Sequence, residues 1–270
     1  MVQNNTSRTG WWGRFEPVNG ETISSKIGPL KLAVQRLPNE WQIAYQWYNL
    51  IDPTTGEWSR EITDSVIDEL NYATVERYVI EQTEKTLHIM PALADRSVIT
   101  RPFKPFFVLP GDQINVFVSS PLWVRLETGD PPQFLQEIPI HRPSDTWFGP
   151  STMTGELCYA GRTHANLNLE NVLVQAHRAI TQVAIQNQAD TQLHIERLNL
   201  PVPYLSLFET AAGTLWTEAV TMVRTRDTGM ASLQVEKGPP DVATEAKSIF
   251  DPRERPPQNM AIRAFGVLFG

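Results

Sequence analysis

A single cysteine, Cys158, stands among 270 residues. One thiol rules out an intrachain disulfide and denies the chain a thiolate zinc site. Such sparing use of cysteine fits a reducing compartment, so a cytoplasmic location is expected. Long apolar runs are missing as well. Nothing approaches the ~20 apolar residues of a membrane-spanning helix, and direct membrane insertion is not expected. Residues 1–9 are polar and lack the apolar stretch of a secretory signal. Lysine is scarce, 6 residues against 17 arginines, and the 23 basic residues are outnumbered by 30 acidic ones, for a net charge of −7. The basic residues are scattered, with no cluster that would release counterions from a phosphate backbone, which argues against nucleic acid as a partner.

Catalytic signatures are equally sparse. The sequence has no GxSxG, no GxxxxGK(S/T) and no GxGxxG before a helix, so neither a nucleophile elbow nor a nucleotide-binding loop has support. The five histidines, His88, His141, His164, His177 and His194, never fall in HxH or HExxH spacing, and neither a metal nor a cofactor is expected. His194 and Glu196 share a face if their stretch is a strand, as an exposed polar pair or as two ligands. Cys158, within Glu156-Leu157-Cys158-Tyr159-Ala160, alternates as a small core residue would, and is expected to be inert.

What the chain does have is alternation with period two. Leu30, Leu32 and Val34, then Trp41, Ile43, Tyr45 and Trp47, flank Pro38-Asn39 and predict a β-hairpin with one buried face. Residues 52–56, with Pro53 and Gly56, read as a turn. Ile62, Val66, Ile67 and Leu70 recur near helical spacing and predict one short helix near 60–70, with a longer helix over 61–84 as the competing reading. Strands are expected over 75–81, 86–90, 106–109, 113–119 and 122–127, separated by Pro- and Gly-bearing turns. From Asn171 to Phe208 a second β block begins with Val172, Val174 and Ala176. Its parity slips near His177 and Arg178, as a β-bulge or a tight turn would produce. A hairpin follows over 215–236. The 238–258 stretch is a proline-rich surface connection, and the apolar segment 262–269 is expected to dock as a final strand, in this chain or on a partner.

These patterns predict an all-β protein of antiparallel, sandwich-type sheets. The preferred division is into two β domains, 1–96 and 97–270, with a single large domain as the alternative. The 128–156 stretch holds five prolines and three glycines and reads as a long excursion from the sheet.

That excursion contains the least ordinary part of the sequence. His141, Arg142, Asp145, Trp147 and Phe148 gather an imidazole, a guanidinium, a carboxylate and two aromatic rings in a loop-like composition, the kind of segment that carries binding. Either it presents a contact surface or its aromatics fold back to cap the core. Trp11 and Trp12 raise the same pair of readings, a partner anchor or closure of a sheet edge. Asp145, Glu156 and Glu218 lie near tryptophans in the sequence, an arrangement that a carbohydrate-active protein could use.

The stretch Met90-Pro91-Ala92-Leu93-Ala94-Asp95-Arg96, continued by Leu109-Pro110-Gly111 and Ser120-Pro121-Leu122-Trp123-Val124, resembles an uncharacterised prokaryotic family catalogued only as a domain of unknown function. The resemblance covers about the middle third of the chain and implies no activity, cofactor or catalytic residue. From the residues themselves the expected function is a non-catalytic binding or accessory subunit, acting through a protein partner or self-association. A carbohydrate or small-ligand protein on the same scaffold is the first alternative. A soluble accessory protein recruited to a membrane channel or transporter is the second.

Overall fold

The computed structural model describes residues 10–48, 58–149, 153–226, 230–255 and 260–266. The turn expected over 52–56 and the polar start at 1–9 lie outside them. The protein is all-β: among the described residues, helix is confined to 3₁₀ turns of three residues each. None is long and apolar enough to cross a membrane. The chain divides into two compact units, one made of 1–92 and 123–142, the other of 93–122 and 143–270, so it crosses between them three times rather than once.

In the first unit the predicted hairpin is present. Leu30–Leu37 pairs with Glu40–Trp47 across Pro38 and Asn39, and Leu30, Leu32, Val34, Trp41 and Ile43 are each at most 1% exposed. Burial of each such side chain contributes about 1.5–3 kcal/mol, which fixes both register and face. Thr22–Ile27 and Trp58–Thr63 extend this sheet on one side and Thr74–Val79 on the other, all antiparallel. A second antiparallel sheet runs Gly13–Phe15, Leu87–Ala92, Trp123–Thr128, Gln133–Pro139. Trp47 Nε1 ties the two sheets by donating to Pro139 O at 2.8 Å.

The helix expected near 60–70 is not there. Trp58–Thr63 is a strand, and only Glu69–Asn71 makes a single 3₁₀ turn. Of the supposed apolar stripe, Ile67 alone is buried, against Ala33 and Ala44, while Ile62, Val66 and Leu70 are 47%, 76% and 95% exposed. A helix that short has little stability of its own. The edge of Thr22–Ile27 instead offers six paired positions, Thr22 opposite Thr63 through Ile27 opposite Trp58.

The 128–156 stretch is likewise more regular than expected. Gly129, at φ +83°, turns the chain so that Gln133–Pro139 pairs with Trp123–Thr128, and Asp145–Phe148 pairs with Glu156–Ala165.

In the second unit the central strand is Arg178–Asn187. Gln113–Pro121 pairs along one side of it, while Leu215–Trp216 and Val220–Arg224 follow one another along the other, both parallel to it. A separate sheet orders Asp145–Phe148, Glu156–Ala165, Val98–Pro102 and Leu198–Leu200, with a further parallel pair at its centre. The all-β class therefore includes parallel pairs beside the antiparallel ones. The expected strand over 172–176 is absent: Leu173 and Val174 are 44% and 57% exposed, and pairing begins at Arg178 after a turn closed by Arg178 N donating to Gln175 O at 3.1 Å. Of the two readings of the parity slip at His177, the structure has the tight turn, which precedes the strand, and not a bulge within one. The described part of the final segment docks in cis, Met260–Arg263 against Met230–Val235, with Phe265 bridging to Leu198, while 267–269 lie outside the described residues.

Asn187, fully buried, joins three parts of this unit. Its Nδ2 donates to Val108 O and to Thr191 O, both at 2.9 Å, and its Oδ1 accepts from the buried Arg224 at 3.0 Å. Truncation removes the shared partner of two carbonyls and a guanidinium. Asn187→Ala is expected to lower unfolding free energy by about 3 kcal/mol in urea titrations. The exposed neighbour substitution Gln188→Ala should stay within about 0.5 kcal/mol of the parent.

Candidate functional site

The strand Asp145–Phe148 lies at the end of its sheet, hydrogen-bonded on one side to Glu156–Ala165. Asp145 stands opposite Tyr159 and Trp147 opposite Leu157. Opposed residues share a face, and neighbours along a strand alternate. Asp145, Trp147, Leu157 and Tyr159 therefore project from one side of the hairpin. Thr146, Phe148, Glu156 and Cys158 project from the other.

The two faces have different characters. On the inner one, Phe148 and Cys158 are 1% and 0% exposed and pack with Ile99. Burial pushes the Cys158 thiol well above its usual range, and the Glu156 carboxylate, 3.3 Å from Sγ, adds to the shift. Glu156 also accepts from Asn199 Nδ2, which donates to Arg263 O as well, at 3.1 Å. The thiol is protonated and enclosed, as the alternation around Cys158 predicts.

On the outer face Trp147 and Leu157 are 39% and 45% exposed. Beside them the Arg96 guanidinium lies 5.3 Å from the Tyr159 ring centroid and pairs with Asp145 at 3.4 Å. The Tyr159 hydroxyl donates to Asp95 Oδ1 at 2.9 Å. Desolvation, reinforced by Asp95, pushes Tyr159 up to about 12. Each contact is weak alone, since an exposed ion pair contributes at most about 1 kcal/mol. Together they hold an arginine, a tyrosine and two carboxylates beside an exposed indole and a leucine.

Trp147 is also fixed in place. A Cβ added at Gly155 would stand 2.3 Å from Trp147 Nε1, and one at Gly149 would stand 2.3 Å from Gly155 Cα. Only glycine at both positions lets the hairpin close with the indole pressed against backbone.

Of the residues singled out by sequence, Asp145 and Trp147 meet on this face. Phe148 belongs to the core behind it. Trp11 and Trp12, 1% and 2% exposed and in edge-to-face contact at 5.3 Å, are buried in the first unit, so of their two readings burial supports closure of the core. His141, half-buried, and Arg142, exposed, also belong to the first unit. Asp95, Arg96, Leu157 and Tyr159 escape sequence reasoning. The alternation around Cys158 puts Leu157 and Tyr159 opposite a core residue, a usable signal, whereas Arg96 arrives from 49 positions away by tertiary contact alone. No group of three or more His, Cys, Asp or Glu gathers as metal ligands among the described residues.

Two measurements follow. Cys158 should resist a disulfide reagent at pH 8 in the native state and react fully in denaturant. Tyr159, followed by tyrosinate absorbance, should titrate near 12, and Asp95→Asn should lower that midpoint. Because its folded value is raised, the Tyr159–Asp95 contribution to stability is complete below pH ~10 and is lost as pH rises from there towards 12.

A family model described as Protein of unknown function (DUF432) matches residues 11–269. No curated protein and no solved structure gives a match. By a match that runs almost the length of the chain, this protein belongs to the DUF432 family.

Proposed function

We propose that the chain is a non-catalytic binding subunit that contacts a protein partner through the outer face of the Asp145–Phe148 and Glu156–Ala165 hairpin. The observation that carries this reading is the exposed Trp147 indole held against Gly155. Tryptophan, tyrosine and arginine dominate binding energy at protein interfaces, and an anchor already fixed in its bound position loses little conformational freedom on association. Trp147, Tyr159 and Arg96 supply all three types on the two strands at one end of a sheet and beside them.

Two features favour binding over hydrolysis. Asp145 and Glu156 project to opposite faces of the hairpin, whereas a glycosidase needs both carboxylates on one side of the bond. Glu218 is buried and accepts from Ser206 N at 2.6 Å, a structural use of its charge. A single enclosed thiol suits a cytoplasmic setting.

The test is site-specific photocrosslinking in native-host lysate, with the probe at position 157 on the face and at position 79, an exposed strand residue of the first unit, as control. A specific protein adduct is expected at 157 and not at 79. Trp147→Ala should weaken capture at least tenfold with an unchanged thermal midpoint. Equal adducts at both positions, or capture unaffected by Trp147→Ala, would sink the proposal.

A further inference from the structure

Arg36 lies on the Leu30–Leu37 strand and is only 8% exposed. Its guanidinium is surrounded by neutral oxygens: Nε donates to Thr83 Oγ1 at 3.1 Å, Nη2 to Thr83 O at 3.0 Å and Nη1 to Pro17 O at 2.9 Å. None of the ion pairs among the described residues includes it. Two other arginines of the same unit, although more exposed, do have carboxylates. Arg77 reaches Glu40 at 2.6 Å, and Arg125 binds both Glu127 and Glu137. A buried charge is costly unless matched by an opposite one or by a full set of hydrogen bonds. The bonds to Thr83 and Pro17 engage three of the five N–H donors that a guanidinium carries, leaving one on each of Nη1 and Nη2.

Arg36 also borders open space. With Asn19, Asn39, Glu81, Gln82 and Thr83 it lines a depression of about 730 Å³, within the range of roughly 300–1,000 Å³ that small ligands occupy. Arg178 and Arg224 are buried too, but they do not line it. The lining is dominated by amide and hydroxyl groups. Thr83 is held in turn by donating its Oγ1 proton to Leu37 O at 2.7 Å, and Asn39 Nδ2 bonds Glu81 O at 2.6 Å. The wall is thus set before any ligand arrives.

We infer that this depression binds an oxyanion, phosphate or carboxylate, which supplies the negative charge that Arg36 lacks. An arginine fork matches both groups, and its planar geometry favours two-point contact. Glu81 is the one carboxylate in the lining and opposes binding, so it sets the affinity from the rim. This site is in the first unit and is independent of the Trp147 face.

The experiment is a titration of the isotope-labelled full chain with sodium phosphate and, separately, sodium acetate, at ionic strength held constant with sodium chloride and read by amide NMR. Saturable shifts at Asn39, Gln82 and Thr83 are expected, and the anion that saturates at lower concentration identifies the class. Substitutions at Arg36 would also release the 81–83 segment, so the deciding variants lie on the rim. Glu81→Gln should tighten binding about threefold and Gln82→Glu should weaken it by at least as much. Absence of saturable shifts with both anions overturns the site. So do shifts that neither rim variant alters.

Discussion

A chain whose regular structure is nearly all strand must satisfy its backbone donors and acceptors by pairing one segment with another, because no strand closes its own hydrogen bonds. In the second unit that requirement converges on Arg178–Asn187. One side of it pairs for nine positions with Gln113–Pro121, and the other is shared in succession by Leu215–Trp216 and Val220–Arg224. Its alternate residues Val183 and Ile185 are fully buried, and its last residue, Asn187, carries the polar junction to Val108, Thr191 and Arg224. Removing this strand would leave Gln113–Pro121 without its strand partner and separate Leu215–Trp216 and Leu207–Glu209 from Val220–Arg224 and Met230–Val235, so the sheet is conditional on it.

The same requirement explains where open surface remains. Sheets end, and each end must be covered or left available. At the far end of the smaller sheet, Leu198–Leu200 is covered by the C-terminal segment: Asn199 N donates to Ala264 O at 2.9 Å, and Phe265 bridges to Leu198. The opposite end is Asp145–Phe148, short and bracketed by Pro143 and Pro150. Brevity and flanking prolines limit indiscriminate pairing. What such an end presents is then decided by side chains, here Trp147 and the Arg96, Asp145, Tyr159 group.

Much of this was legible where the physics is local. The Leu30–Leu37 and Glu40–Trp47 hairpin declares itself because its large apolar residues recur with period two, and Cys158 reads as core for the same reason, although Ala33, Gln35 and Ala44 of the hairpin's other face are buried as well. Legibility fails where the decision is made at a distance. Residues 60–70 carry apolar residues at helical spacing, yet the waiting edge of Thr22–Ile27 wins, and Val66 and Leu70 are left in solvent. Val172 and Val174 alternate like a strand but have none to pair with. In the proposed site, Asp145 and Trp147 stand out by composition, but Arg96 becomes relevant only once Val98–Pro102 lies parallel to Glu156–Ala165 and brings the residues before it to Tyr159. The tryptophans at 11 and 12 show the converse: composition cannot distinguish an anchor from a plug, and only burial does.

An exposed tryptophan is ordinarily a weak indicator, since folded surfaces contain much apolar area. Trp147 differs in how its conformational freedom is spent. A free indole on a strand end samples several rotamers and loses them on binding, at a cost of about 0.5–1.5 kcal/mol. Here Gly155 admits the ring where any side chain would exclude it, and Gly149 lets the two arms approach closely enough for that contact. The back of the strand is fixed independently by Phe148 in the core, against Ile99 and Cys158. The strand is therefore ordered during folding by burial on the opposite face, and the Trp147 ring keeps 39% exposure. If stability alone had set this position, turning the indole inward or replacing it with a polar residue would remove the exposed apolar area. Two glycines instead admit the ring and leave it 39% exposed, which is why the proposed contact centres on it.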